Sequence, residues 1–201
     1  MYKLYYMPGA CSRAIHALLL DLGQPVELIA RESVENFREI NPTNQVPVLT
    51  DGDLVLREGA AIVLHLLDKH GAPELQGTAG QRAEFTQWLM FANATLHPAY
   101  SLLFFASRGL ESEDAKQEVL QKAAARLTGL WGIVEARLQN REFVCGEKIS
   151  AIDLMLAVYA NWGNYFPLDI ELGERTRKLL YRVAEYPAFV RAVEAEEAVA
   201  A

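Results

Sequence analysis

Residues 3–23, KLYYMPGACSRAIHALLLDLG, decide the fold, because a strand pattern gives way to a helix pattern inside them. Lys3 to Met7 is an aromatic and aliphatic run stopped by Pro8-Gly9, the punctuation of a strand end. From Ser12 to Leu22 the residues Ile15, Leu18, Leu19 and Leu22 recur at i, i+3, i+4 and i+7, one face of a helix that Gly23 closes. Val26 to Ile29 is a short second strand, and Glu32 to Ile40 a polar, loosely helical connector. Val48 to Thr50 and Leu54 to Leu56 flank Asp51-Gly52, a dipeptide suited to a tight hairpin, so these segments pair antiparallel. Ala60 to His70 carries Ile62, Val63, Leu66 and Leu67 on one side and ends at Gly71. The order is β-α-β, connector, β-β-α: an α/β domain over residues 1–71.

Residues 72–80, with Pro73, Gly77 and Gly80 and no periodicity, read as a linker. Beyond it, Gln81 to Ser107, Glu113 to Gln139, Ser150 to Phe166, Glu174 to Val183 and Pro187 to Ala198 read as helices, so residues 81–201 form an all-helical domain. Of the 201 residues, 51% are hydrophobic and 22% charged, the balance of a globular chain. With 19 Lys and Arg against 26 Asp and Glu, the net field repels phosphate backbones, and nucleic acid is not an expected partner. Two cysteines, Cys11 and Cys145, are too few for a disulfide framework and fit a reducing compartment, the cytoplasm by default. The start MYKLYYMPGACS lacks the features of a secretory signal. Apolar stretches such as Ala17 to Leu20 and Ala151 to Ala160 fall below the roughly 20 residues of a membrane span, so no membrane segment is expected.

Three segments carry chemistry. Cys11 and Ser12 stand where the first helix begins, and a thiol there faces free backbone N–H groups that favour thiolate. Cys11 as a small buried residue, Ser12 as a helix cap and Tyr6 as a packing residue fit the same positions. In Asn41-Pro42-Thr43-Asn44-Gln45-Val46-Pro47 the last proline directly precedes a strand. A cis Val46-Pro47 bond there would turn the Val46 backbone toward an extended peptide, and a trans bond would simply start the strand. Glu58 and Gly59 lie at a strand-to-helix turn, where backbone N–H groups suit a carboxylate and Glu58 an ammonium, or where Glu58 merely favours the helix dipole. Ser150-Ala151-Ile152-Asp153 is a capping box with Ile149 and Leu154 as its staple. His16, His65, His70 and His97 lack metal-site spacing, and no phosphate loop or hydrolase elbow occurs.

Taken together and in order, KLYY-x-PGACS, NPTNQVPVL, REGAAI, ATLHP and SAID resemble the glutathione transferases, most closely the bacterial beta class, over nearly the whole chain. The resemblance implies a thioredoxin-like N-terminal domain on a helical C-terminal domain, a homodimer, and transfer of the glutathione thiol to hydrophobic electrophiles. Glutathione enters as co-substrate and no metal is needed. Cys11 becomes the residue at the glutathione sulfur, with Tyr6 and Ser12 beside it and His97 near the thiol. Gln45, Val46, Pro47, Glu58 and Gly59 become the glutathione-binding set: Val46 pairs its backbone with the cysteinyl part, Pro47 is cis, and Glu58 with Gly59 holds the γ-glutamyl end. Tyr100, Phe104, Trp162 and Tyr165 are candidates for the electrophile pocket, or equally for the core.

Two departures from the family stand out. The connector Ala30 to Ile40 is short, leaving Arg31 or Arg38 to meet the glycine carboxylate, and Gly59 stands where other classes carry serine. Thiol-disulfide exchange through a Cys11 mixed disulfide and a non-catalytic binding role are the competing functions.

Overall fold

The first strand signal takes form as β1, Tyr2–Tyr6, in which Tyr2, Leu4 and Tyr6 point into the core while Lys3 is exposed. The computed structural model describes residues 1–200. Helix α1, Ser12–Asp21, buries Ile15, Leu18 and Leu19 and returns the chain to β2, Val26–Ala30, which pairs parallel to β1. The connector yields a 3₁₀ turn at Arg31–Ser33 and the single-turn α2, Phe37–Ile40, anchored by buried Phe37. Strands β3, Val48–Asp51, and β4, Leu54–Leu56, form the antiparallel hairpin around Gly52, whose φ of 60° needs a glycine. The sheet order is β2-β1-β3-β4, with β1 and β3 antiparallel. Helix α3, Gly59–Lys69, buries Ile62, Val63, Leu66 and Leu67, and α1 packs on α3.

The remaining described chain is helical: α4 Pro73–Gln76, α5 Ala79–Met90, α6 His97–Gly109, α7 Glu113–Arg137, α8 Ala151–Trp162, α9 Glu174–Ala184 and α10 Pro187–Ala200. Phe91–Leu96, between α5 and α6, is π-helical, a form that often marks functional positions. Compactness divides the chain into Met1–Phe85 with Ala184–Ala201, and Thr86–Val183. The last helix therefore groups with the sheet unit rather than with residues 81–201, because α10 packs on α1.

Short apolar stretches led to the expectation of no membrane-length segment. Among the described residues one helix, Ala79–Gly109, is instead long and apolar enough by length and composition to cross a membrane, its most apolar 18-residue window having a mean hydropathy of 1.2. Much of that apolarity is a packing face: Leu89, Ala92, Leu96, Ala99, Leu103 and Ala106 are buried in protein.

Two carboxylates brace the helical unit, Asp153 fully buried and Glu135 partly so. Asp153 accepts from Ser150 N–H at 2.8 Å, Ser150 O–H at 2.7 Å and Val144 N–H at 3.0 Å, completing the capping box of α8 and tying in the preceding loop. Glu135 of α7 accepts from Thr176 N–H at 2.8 Å and Thr176 Oγ1 at 2.9 Å, satisfying the first turn of α9 from another helix. A Cβ at Gly173 would lie 2.1 Å from the Glu135 carboxyl carbon, so a larger residue there would displace the Glu135 side chain from this position.

Candidate active site

The loop from Met7 to Cys11 delivers a thiol to the start of α1. Gly9 at φ 71° turns the chain, and Ala10 N–H to Met7 C=O (3.1 Å) and Arg13 N–H to Ala10 C=O (3.0 Å) close it. Cys11, half-buried, donates its S–H to the Val46 carbonyl at 3.2 Å. The Val46-Pro47 bond is cis, and among the described residues no protein group accepts from Val46 N–H.

Asn41 holds this second loop: its Nδ2 donates to Gln45 C=O at 2.7 Å, and its Oδ1 accepts from Thr43 N–H at 3.2 Å. Asn44 takes a positive φ of 61°, and Arg31 donates to its carbonyl at 3.2 Å while stacking on Phe37. Arg38 is exposed and donates to Pro42 C=O at 3.1 Å. Glu58 is exposed before the first turn of α3, where its backbone carbonyl accepts from Ile62 N–H at 2.9 Å and its side chain caps nothing.

Electrostatics at Cys11 run opposite to the helix-terminus argument. Burial pushes the thiol up to about 12, against the lowering by the backbone N–H groups of Cys11 and Ser12, and the Glu58 carboxylate adds to the rise. At neutral pH Cys11 is therefore a thiol, a hydrogen-bond donor. Tyr6 and Ser12 do not share its exposure. Tyr6 is 2% exposed, its hydroxyl enclosed, and its phenol is held protonated by burial and the Glu196 charge. Ser12 is fully buried, with Oγ accepting from Met7 N–H at 3.3 Å and lying 3.4 Å from Met7 C=O. Both shape the loop; Cys11 alone of the three offers a polar atom near the surface.

In the helical unit, burial lowers the pKa of His97, so its imidazole is neutral at neutral pH, and the ring stands edge-on to Tyr159 and Trp162 at 5.2 Å each. Phe104 meets Trp162 at 5.9 Å and Tyr165 at 6.4 Å, and Tyr165 is exposed. Tyr100 is a core residue: it is buried and accepts from Trp131 Nε1 at 2.9 Å, and burial raises its phenol to about 12.

Glu196 and Arg13, two residues the sequence reading passed over, brace the loop that carries the thiol. Glu196 of α10, 1% exposed, accepts through one oxygen from Gly9 N–H at 2.9 Å and from Arg13 Nε and NH2 at 2.9 and 2.6 Å. No local signal marks Glu196, one acid among several in EAEEAVA.

Comparison with known proteins gives the family of the chain. Residues 4–74 match the family model described as glutathione S-transferase, N-terminal domain, and residues 92–189 its C-terminal domain. Glutathione S-transferase GST-4.5 of Xanthomonas campestris pv. campestris is 32% identical over 174 residues, 84% of this chain and 85% of that protein. A solved glutathione S-transferase from Xylella fastidiosa superposes with a TM-score of 0.89 at 29% identity, covering 98% of this chain and 99% of its own. A bacterial beta class glutathione S-transferase from Sphingomonas chungbukensis gives 0.83 at 26% identity, covering 96% and 98%.

Proposed function

The chain belongs to the glutathione S-transferase family of enzymes, and from that premise we propose that it conjugates the glutathione thiol to hydrophobic electrophiles. The observation that carries the reading is the 3.2 Å contact from the Cys11 thiol to the carbonyl of Val46, whose N–H stays unpaired beside it. An extended peptide laid against Val46 pairs its own N–H and C=O there and brings a cysteinyl sulfur to Cys11. Cys11 then donates to the incoming thiolate. A donor aimed at developing or resident negative charge stabilises the anion that attacks the electrophile, and the raised Cys11 thiol suits donation better than nucleophilic attack.

That direction favours conjugation over thiol-disulfide exchange. Exchange needs the Cys11 thiolate to attack a disulfide sulfur, and burial works against it. Gln45, Pro47 and the start of α3 complete the peptide's frame, with Gly59 and its neighbours offering N–H groups to the γ-glutamyl carboxylate and Glu58 taking the ammonium. Arg31, held at the Asn44 carbonyl, is the cation for the glycine carboxylate. Within the helical unit, His97 and the aromatic edges of Phe104, Trp162 and Tyr165 are the candidate apolar surface for a hydrophobic electrophile, and Tyr100 supports Trp162 from the core at 5.9 Å. Cys11 and Cys145, neither in a disulfide, fit a cytoplasmic enzyme, and the exposed Met90, Leu102 and Phe105 fit burial in a homodimer.

Glu58→Gln tests the binding frame. A charge-assisted hydrogen bond is worth about 1.5–3 kcal/mol, so glutathione should bind about 10- to 100-fold more weakly by calorimetry. The thermal midpoint should not move, because the Glu58 side chain is exposed and caps nothing. Unchanged affinity would remove Glu58 from the site.

A further inference from the structure

We propose that Glu196 is a positioning residue for Cys11, acting from the C-terminal helix through Arg13 and Gly9. The inference rests on the reading that Cys11 serves the glutathione sulfur. One carboxylate oxygen gathers three donors from a single short stretch: Gly9 N–H, two residues before Cys11, and Arg13 Nε and NH2, two residues after it. A five-residue segment is thus pinned at both ends by one atom, with the thiol at its centre.

The surroundings leave the segment little freedom. Gly9 has a positive φ, so its N–H points where few other conformations would carry it. Ser12 Oγ bonds back to Met7, and α10 packs along α1. The side chains of Glu196 and Arg13 are 2% and 14% exposed, and Glu196 Oε1 is enclosed without a partner. All the donors lie on the oxygen that faces the loop. A buried ion pair adds little net stability, because desolvation offsets the attraction, so the effect of this one is to select a single loop geometry. In that geometry Cys11 reaches Val46 C=O at 3.2 Å. Without it, the thiol moves toward water and toward the ordinary ionisation of a cysteine.

The test follows the two cysteines separately, by mass spectrometry, as the full chain reacts with iodoacetamide. Glu196→Ala removes the carboxylate, Glu196→Gln keeps its shape and one acceptor without the charge, and Cys145 is the internal reference. Cys11 should react about tenfold faster in Glu196→Ala, the rise in thiolate fraction when a thiol's pKa falls by one unit, with Cys145 unchanged. Glu196→Gln should show a smaller rise in the same direction, and it alone decides the matter if the alanine variant does not fold. An unchanged Cys11 rate, or Cys11 and Cys145 accelerating together, overturns the proposal. The readout needs no glutathione, so it is independent of whether the chain conjugates, which binding and turnover assays answer separately.

Discussion

Replacing Asp153 with alanine is expected to lower the unfolding free energy by about 4 kcal/mol and the thermal midpoint by roughly 8–16 °C. The carboxylate accepts from Val144 N–H, Ser150 N–H and Ser150 O–H, and Asp153 and Val144 are fully buried. Each donor left without an acceptor costs about 1–3 kcal/mol, and only the Ser150 hydroxyl can rotate to seek another. Burial raises the Asp153 pKa, with the hydrogen bonds opposing it, so the donors are what make a carboxylate tolerable there. Asp114→Ala, in the exposed first turn of α7, is the control and should cost only tenths of a kcal/mol. Scanning calorimetry on both variants checks the difference; equal midpoints would show that the box does not secure the helical unit.

A second large effect should appear on acidification. His16 is 4% exposed on α1, its Nδ1 is enclosed without a partner, and burial, with Arg191 adding to it, holds its pKa down to about 4. An unfolded chain binds a proton at His16 below about pH 6.5, whereas the folded chain refuses it until about pH 4. Stability from this group is full above 6.5, falls as pH drops toward 4 and levels off below. The interval corresponds to roughly 3 kcal/mol. Urea unfolding at pH 7 and pH 4.5 should therefore show a large loss in wild type and a much smaller one in His16→Gln. Parallel losses in the two proteins would place the acid sensitivity elsewhere.

Local sequence carried much of the fold. The i, i+3, i+4, i+7 row in α1, the Asp51-Gly52 turn and the Ser150 to Asp153 box each act within a few residues, so their physics is complete in the sequence itself. Whatever depends on distant partners was hidden. A helix start predicts a favoured thiolate at Cys11, yet burial by the rest of the unit reverses the sign. Ser12 bonds Met7 instead of capping its helix. Glu194 and Glu197 are exposed while Glu196 between them is buried, because its partners Gly9 and Arg13 lie 187 and 183 residues away. The membrane-length helix escaped notice because polar residues such as Asn93 and His97 interrupt its apolar run, although the average over the window stays apolar.

The most direct measurement is calorimetric titration of glutathione into the wild-type chain and Cys11→Ala, with turnover of a chloronitrobenzene electrophile followed on the same samples. The account predicts saturable glutathione binding and conjugation in wild type, and slower conjugation in Cys11→Ala with glutathione still bound through Val46 and Glu58. A wild-type chain that neither binds glutathione nor conjugates it would contradict the account.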